Sequence, residues 1–186
     1  MNIKKILREK LEAKESTKNN KYEYGCVMIN LDTPAKDWKK IQDEIDEDDI
    51  YTEEDNDGYG RENEQHVTIL YGIHADVPDE DVEKLIDKIK KPEIELKKVS
   101  AFKNDKFEVL KFDVESDDLQ EYNKMFKDLP HTSKFPDYHP HVTIAYMKPG
   151  KTDKYIMLLN KKEPINVSVE KVVYSKPDRT KKTYEI

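Results

Sequence analysis

Several segments of the chain alternate hydrophobic and polar residues. This spacing predicts β-strands, because successive side chains of a strand point to opposite faces. In the first such segment, at 24–31, Val27, Ile29 and Leu31 form the apolar row. The same pattern predicts six further strands, at 65–72, 93–102, 107–115, 141–147, 165–175 and 182–186.

Between these strands, apolar residues recur three or four positions apart, which is the spacing of an amphipathic helix. The helix at 33–45 opens with Thr33 as its cap and a proline in its first turn. Each half of the chain brings a helix, a loop and a strand in the same order. The expected fold is α+β, with two similar lobes that are each a small antiparallel sheet backed by helices. The other helices are predicted from Pro78 to near Pro92, at 117–129 and at 153–159.

The first 21 residues differ from the rest of the chain. Ile3, Leu7 and Leu11 lie at helical spacing within 2–14, and residues 15–21 contain no apolar side chain. We therefore expect an N-terminal helix and polar linker at 1–21, followed by a single domain at 22–186.

The tetrapeptide His-Val-Thr-Ile occurs twice, at 66–69 and at 141–144. Because side chains two positions apart on a strand point to the same face, each copy places an imidazole beside a hydroxyl. A single copy is an ordinary strand sequence, but composition gives no reason to repeat histidine and threonine in the same apolar frame. Two strands related by internal symmetry would direct both pairs to one point. The candidate catalytic residues are therefore His66, Thr68, His141 and Thr143.

Tyrosines lie close to both copies of the motif. Tyr71 and Tyr146 follow the two tetrapeptides, and strict alternation turns both away from the histidines unless a β-bulge intervenes. Tyr24 lies on the face of the first strand opposite the Val27 row. There it is placed either to stack on a nucleobase or to remain a plain surface residue.

Paired histidines and threonines suit a phosphoester reaction. An unperturbed histidine has a pKa of about 6.5, so near neutral pH one imidazole can accept a proton while another donates one. The threonine hydroxyls are donors for the negative charge that accumulates on the nonbridging phosphate oxygens. The near symmetry of the two motifs leaves open which histidine is the base.

The repeated motif resembles that of the two-histidine (2H) phosphoesterases, which carry two His-hydrophobic-Thr/Ser-hydrophobic motifs in the two halves of one domain. The resemblance extends from about residue 22 to the C-terminus. It implies a bilobal fold in which two antiparallel sheets form a central groove with helices outside. Within this superfamily the chain looks most like the phage anti-CBASS nucleases, which destroy the cyclic oligonucleotide signals of bacterial immunity. This likeness is carried by Tyr24-Gly-Cys-Val-Met, Gly60-Arg-Glu-Asn-Glu-Gln and Tyr174-Ser-Lys-Pro-Asp.

The resemblance implies a metal-independent phosphodiesterase that hydrolyses cyclic di- or trinucleotides with the four motif residues. Two alternatives remain open: an RNA 2′,3′-cyclic phosphodiesterase or 2′-5′ RNA ligase-like enzyme, and a noncatalytic module that sequesters a cyclic nucleotide. Two intact histidine motifs favour an enzyme, because binding alone does not need two titrating groups. The candidate substrate-binding residues are Tyr24, His139 and Lys148.

Net charge favours a small ligand. The chain has 186 residues and a formal net charge of −7, whereas tight binding to long nucleic acid relies on neutralising many phosphates. Ten acidic residues and no basic residue fall within 43–57, so the rest of the chain is net positive. We expect this acidic segment to be a solvated loop. Arg61, Lys148 and Lys151 lie near the motif strands and are candidates for phosphate contacts.

No metal or cofactor is expected. The acidic sequence at 55–58 resembles a calcium loop but lacks the glutamate that completes one. His139 and His141 have no carboxylate or cysteine set at ligand spacing, so we interpret His139 as a residue at the rim of the groove. The single cysteine, Cys26, excludes an internal disulfide. Without a signal-peptide sequence or an apolar run of spanning length, we expect a cytoplasmic protein with no membrane or obligate protein partner. For a phage-encoded chain, this is the cytoplasm of the bacterial host.

Overall fold

The computed structural model describes residues 24–54, 58–133, 135–163 and 165–186, and within these ranges seven strands form one antiparallel sheet. Each strand corresponds to a predicted one. The predicted N-terminal helix (2–14) and linker (15–21) lie outside the described residues and stay predictions. The strands are β1 (Tyr24–Asp32), β2 (His66–His74), β3 (Glu95–Lys103), β4 (Glu108–Glu115), β5 (His141–Met147), β6 (Ser168–Ser175) and β7 (Lys181–Glu185).

Four α-helices occur in the described ranges, and each corresponds to a predicted helix, although three end earlier than expected. No helix in these ranges is long and apolar enough to cross a bilayer. The helices are α1 (Ala35–Gln42), α2 (Asp79–Ile86), α3 (Asp117–Phe126) and α4 (Thr152–Leu159).

The two ends of α1 differ from the prediction. Thr33 does not cap the helix: its hydroxyl is buried and finds no hydrogen-bond partner among the described residues, and Pro34 is the N-cap residue. The helix ends at Gln42, where the Arg61 guanidinium binds the carbonyl oxygens that the ending helix leaves free. Arg61 Nη1 donates to the carbonyl oxygen of Gln42 at 2.7 Å, and Nη2 donates to that of Ile45 at 2.7 Å.

The sheet order is β3-β4-β5-β2-β1-β6-β7. The expectation of two separate sheets is wrong in this respect, because the strands of both halves join edge to edge. The junction is narrow. Within the described residues, β2 and β5 pair only at Val67 and Val142.

Beyond this junction, a loop from the opposite half pairs with each motif strand. Thr132 N donates to the carbonyl oxygen of Gly72 on β2 at 2.9 Å, and Tyr146 N on β5 donates to that of Gly60 at 2.7 Å. Only glycine fits at position 72, where φ is +97° and an added Cβ would lie 2.0 Å from the Thr132 oxygen. These loops satisfy the backbone of β2 and β5 where the two strands no longer pair with each other.

The helices cover the apolar face of the sheet. Helix α3 packs on β2, and α4 packs on β3 and β4. In α1, the ring centroid of Trp38 lies 6.4 Å from that of Phe112 in β4. Val67 and Val142 are fully buried on this face, and burying each such side chain stabilises the fold by about 1.5–3 kcal/mol. The opposite face, here called the polar face, carries the half-buried histidines and threonines of the two motifs.

Part of the acidic segment is structural rather than solvated. A 3-10 helix covers Glu47–Asp49, and the Asp49 side chain is buried. Its carboxylate pairs with Lys154 Nζ at 2.6 Å and accepts a hydrogen bond from the Tyr155 hydroxyl at 2.7 Å. These two hydrogen bonds hold the pKa of Asp49 well below its usual range. The expectation of a solvated loop is wrong at this position, because Asp49 anchors α4.

Replacing Asp49 by asparagine is expected to lower the free energy of unfolding at neutral pH by roughly 1–2 kcal/mol. The reason is that Lys154 and Tyr155 would then donate to a neutral amide oxygen instead of a charged carboxylate. The Asp49 pKa is lower in the folded protein than in the unfolded chain, where it is about 3.9. Its contribution is therefore present above that pH and is lost as the pH falls further. Urea denaturation between neutral pH and about pH 3 measures both effects.

The matched control is Asp43→Asn, which removes an exposed pair with Lys39 at 2.5 Å and is expected to change stability by about 0.5 kcal/mol or less. An equal loss for both variants, or a loss at Asp49 that does not depend on pH, would contradict the anchoring role.

Candidate active site

The structure brings the four motif side chains together on the polar face. Val67 and Val142 are directly paired, and the strands are antiparallel. The histidine of each motif therefore lies across from the threonine of the other. His66 and His141 are close enough for the charge of one to act on the other.

Both histidines are held in the same way by the backbone. His66 Nδ1 lies 2.7 Å from the carbonyl oxygen of Glu64, and His141 Nδ1 lies 2.8 Å from that of His139. A carbonyl oxygen only accepts hydrogen bonds, so Nδ1 carries a proton in each ring. The Nε2 atoms are therefore the ones left for proton transfer.

Each motif strand contains a bulge at the same position. The register of β2 against β1 skips Ile69, and the register of β5 against β4 skips Ile144. Beyond each bulge the alternation of the strand inverts. Tyr71 and Tyr146 therefore face the polar side, and Tyr71 is 58% exposed. The expectation from strict alternation, which turned both tyrosines away from the histidines, is wrong because each strand contains the bulge that was named as its exception.

A helix side chain from the opposite half binds the carbonyl oxygen at each bulge. Asn123 of α3 donates to the oxygen of Ile69 at 2.7 Å, and Gln42 of α1 donates to that of Ile144 at 3.0 Å. Leaving a buried carbonyl without a partner would cost about 1–3 kcal/mol. Helix α3 precedes β5 in the chain but supports β2, and α1 precedes β2 but supports β5. The shape of each motif therefore depends on the other half of the domain.

Cys26 lies beside the first motif. Burial raises the pKa of its thiol to about 12, although a hydrogen bond with the Thr68 side chain acts in the opposite direction. The thiol is therefore neutral at physiological pH and is unsuited to act as a nucleophile. Its side chain contacts that of Thr68.

His141 is in an environment that disfavours its protonated form. Burial lowers its pKa from the ordinary value, and the positive charges of Lys111 and His66 act in the same direction. The carbonyl oxygen of His139 and the carboxylate of Asp113 oppose them, but the net direction is downward. Neutral His141 is the favoured form at neutral pH.

Sequence reasoning missed Lys111 and Asp113. In the sheet, Lys111 is in register with Thr143, and Asp113 is in register with His141. The available signal was a lysine in the middle of the apolar strand predicted at 107–115. Its place beside the second motif follows only from the pairing of β4 with β5.

Two predicted substrate residues lie on or beside the polar face, His139 next to the second motif and Tyr24 several residues along β1 from the positions that pair with the first motif. Tyr24 begins β1 on the polar face, and its ring centroid lies 6.2 Å from that of Tyr71. His139 is exposed, and its carbonyl oxygen orients His141. In the part of the chain that the structure describes, no group of three or more histidine, cysteine, aspartate or glutamate side chains is placed to hold a metal ion.

The other predicted cations are not brought to the motifs. Lys148 follows the far end of β5 from His141, about 20 Å along the strand, and its Nζ donates to the carbonyl oxygen of Asp48 at 2.6 Å. Arg61 binds the end of α1, as described above. Lys151 pairs with a buried carboxylate of the acidic segment at 3.2 Å. These contacts tie loops and helices together.

The sequence comparison decides the family. The family described as anti-CBASS protein Acb1 matches residues 55–181, which is more than half of the chain. The chain belongs to the Acb1 family. The Acb1 match includes both His-Val-Thr-Ile motifs and all of β4, so it covers the candidate active site. No curated protein matches the chain.

One solved structure confirms the fold class. The structure of Kluyveromyces marxianus Usb1 matches with a TM-score of 0.56, covering 88% of this chain and 98% of that chain at 10% sequence identity. At this identity the likeness concerns the fold alone. The Acb1 family member described here therefore has an α+β fold that is also found in Usb1.

Proposed function

We propose that this member of the Acb1 family is a metal-independent phosphodiesterase, of phage origin, that hydrolyses cyclic di- or trinucleotide immune signals. The observation that carries the proposal is the meeting of two histidines, each with Nε2 left for proton transfer, and two threonines on one face of the sheet. The family description, anti-CBASS protein, supports a cyclic oligonucleotide as the substrate.

The reaction begins at the 2′-hydroxyl of the scissile nucleotide. One neutral imidazole takes the hydroxyl proton at Nε2 as the 2′-oxygen attacks phosphorus. The other imidazole, in its protonated form, donates its Nε2 proton to the departing 5′-oxygen. The ring opens to a linear product with a terminal 2′,3′-cyclic phosphate, which water then hydrolyses. Each transfer by a positioned imidazole typically accelerates such a step by about two to four orders of magnitude.

The two threonines stabilise the charge that develops during attack. Thr68 and Thr143 lie beside the histidines, and their hydroxyls donate to the nonbridging oxygens of the phosphate. The contact with Cys26 restricts the Thr68 hydroxyl before substrate binds. Such preorganised donors are more effective than water, because they do not reorient as the charge forms.

The nucleobases are bound by side chains at the edge of the polar face. Tyr24 and Tyr71 form an edge-to-face pair that gives one base an aromatic contact, and such stacking contributes about 1–3 kcal/mol per base. His139 is exposed next to the second motif and contacts the substrate from the rim of the site.

The direct test is incubation of the purified protein with cyclic dinucleotides, cyclic trinucleotides, RNA ending in a 2′,3′-cyclic phosphate and 2′,3′-cyclic mononucleotides. Each reaction is run with and without excess EDTA, because the attacking hydroxyl is supplied by the substrate and needs no metal. We expect at least one cyclic di- or trinucleotide to be converted to a linear product. Mass spectrometry measures the rate of this conversion, which EDTA should not change.

Other outcomes point to other functions. Turnover of the linear RNA or the mononucleotides alone would favour an RNA 2′,3′-cyclic phosphodiesterase. Tight binding of a cyclic nucleotide without turnover would favour a sequestering module. Loss of activity in EDTA that a divalent metal restores would refute the metal-independent mechanism.

A further inference from the structure

The two His-Val-Thr-Ile strands are alike, but the strands that flank them are not. Opposite the threonine and the histidine of the first motif, β1 places Met28 and Asn30. Opposite the threonine and the histidine of the second motif, β4 places Lys111 and Asp113. A neutral pair of residues in one half therefore corresponds to a charged pair in the other.

Lys111 is a buried cation next to the second histidine. The residue is only 4% exposed. Its Nζ donates to Ser100 Oγ at 2.7 Å and to the carboxylate of Asp113, and it lies 4.2 Å from the centroid of the Phe102 ring. That ring meets the His141 imidazole edge to face, with centroids 5.0 Å apart. The cation is fixed in place on three sides, and its charge acts directly on His141.

Stability alone does not account for this lysine. Burying an ammonium group costs several kcal/mol, and replacing a buried ion pair by apolar residues is often neutral or stabilising. The first half of the domain fills the corresponding position with Met28. The charge at Lys111 therefore points to a role in the reaction.

The first histidine has a different neighbour. The Glu64 carboxylate is close enough to His66 for the two side chains to attract each other. Glu64 also pairs with Lys181 at 2.7 Å and lies near Lys171. A solvent-exposed carboxylate paired with a lysine therefore lies near the first imidazole, whereas a buried cation paired with Asp113 lies beside the second.

We infer that Lys111 is a positioning residue whose charge adds to burial in keeping His141 neutral, so that His141 is the general base and His66 the general acid. This inference rests on the proposed phosphodiesterase function and removes the ambiguity of the two nearly identical motifs.

The assignment fixes the path of each proton. His141 Nε2 takes the proton of the 2′-hydroxyl while the bond between the 2′-oxygen and phosphorus forms. The bond between phosphorus and the 5′-oxygen breaks, and that oxygen receives the Nε2 proton of His66. His141 ends protonated and His66 ends neutral. Lys111 stays paired with Asp113 throughout and contributes only its charge.

The first test measures how kcat/KM depends on pH in two variants. On the acid side the rate rises as the base loses its proton, and the charged groups facing that base are Lys111, Asp113 and His66. Lys111→Met removes the cation and is expected to move the acid limb to higher pH by roughly 0.5–1 unit. Asp113→Asn leaves the cation uncompensated and is expected to move it to lower pH by a similar amount.

The opposite directions separate this role from a structural one. A variant that merely damages the site loses activity without moving the acid limb in a direction set by charge. NMR titration of the His141 ring follows the same shifts without requiring turnover. The double variant, Lys111→Met with Asp113→Asn, copies the residues of the first half. Its acid limb is expected to lie between those of the two single variants. Unchanged acid limbs, or shifts in one direction for both single variants, would overturn the role of Lys111.

The second test identifies the acid. A cyclic substrate whose scissile 5′-oxygen is replaced by sulfur has a leaving group that needs no protonation. His66→Ala is expected to cleave this substrate at close to the wild-type rate, whereas His141→Ala stays impaired. Rescue of His141→Ala instead, or equal impairment of both variants, would overturn the assignment. Failure of the wild-type protein to cleave any unmodified cyclic oligonucleotide is a separate result that refutes the proposed function itself.

Discussion

Replacing either His66 or His141 by alanine is expected to lower turnover of the cyclic oligonucleotide by about two to four orders of magnitude, because each ring transfers one proton in the proposed transition state. The two losses should not add fully in the double variant, since the imidazoles act as one unit. Steady-state kinetics of the single and double variants measures this.

The matched control is His131→Ala. The His131 ring is half-buried, and its Nδ1 bonds to the carbonyl oxygen of Leu129, away from the motifs. This variant is expected to keep near-normal turnover. Both motif variants should also keep the wild-type melting temperature, because the polar face contributes little to the apolar core. Near-normal turnover in either motif variant would refute the two-histidine mechanism.

Removing the 2′-hydroxyl at the scissile nucleotide is expected to abolish cleavage while leaving binding largely intact. The nucleophile is lost, but in the proposed complex the phosphate oxygens still meet Thr68 and Thr143, and a base still meets Tyr24. Calorimetry with the unreactive analogue measures its affinity, and chromatography measures any residual cleavage.

The position of the missing hydroxyl supplies the control. In a cyclic trinucleotide with a single 2′-deoxy nucleotide, the linkage that follows this nucleotide should stay intact while the other linkages are still cut. Efficient cleavage at the deoxy position would establish water as the direct nucleophile. The histidines would then keep acid–base roles, but attack by the 2′-hydroxyl would be ruled out.

Hydrophobic periodicity predicted all seven strands and the four helices of the described ranges. It worked well because β1, β2 and β5 each bury one face, which leaves a clear alternation such as Val27, Ile29 and Leu31. Helix ends were less accurate, since they depend on contacts from distant residues. Arg61, 19 residues further along the chain, binds the carbonyl oxygen of Gln42 at the end of α1.

The side-chain directions beyond each motif could not be predicted in the same way. A bulge at Ile69 and another at Ile144 invert the alternation, and each is supported by a helix amide from the opposite half. Local sequence does not encode that contact, so Tyr71 and Tyr146 were assigned to the wrong face.

The sequence also did not predict that the strands of the two halves join in one sheet. Internal repetition predicted two lobes with a sheet each, but the pairing of Val67 with Val142 merges the strands into one sheet. Lys111 was missed for a related reason. Its position beside His141 depends on register between β4 and β5, which periodicity alone does not fix.

The most direct test of the two-histidine, hydroxyl-attack mechanism is to run the reaction in ¹⁸O-labelled water with EDTA and weigh the first linear product by mass spectrometry. If the substrate's own 2′-hydroxyl attacks, that product carries a 2′,3′-cyclic phosphate and no ¹⁸O, and the label enters only when the cyclic phosphate opens. A first product that already contains ¹⁸O and a terminal monophosphate would contradict the mechanism.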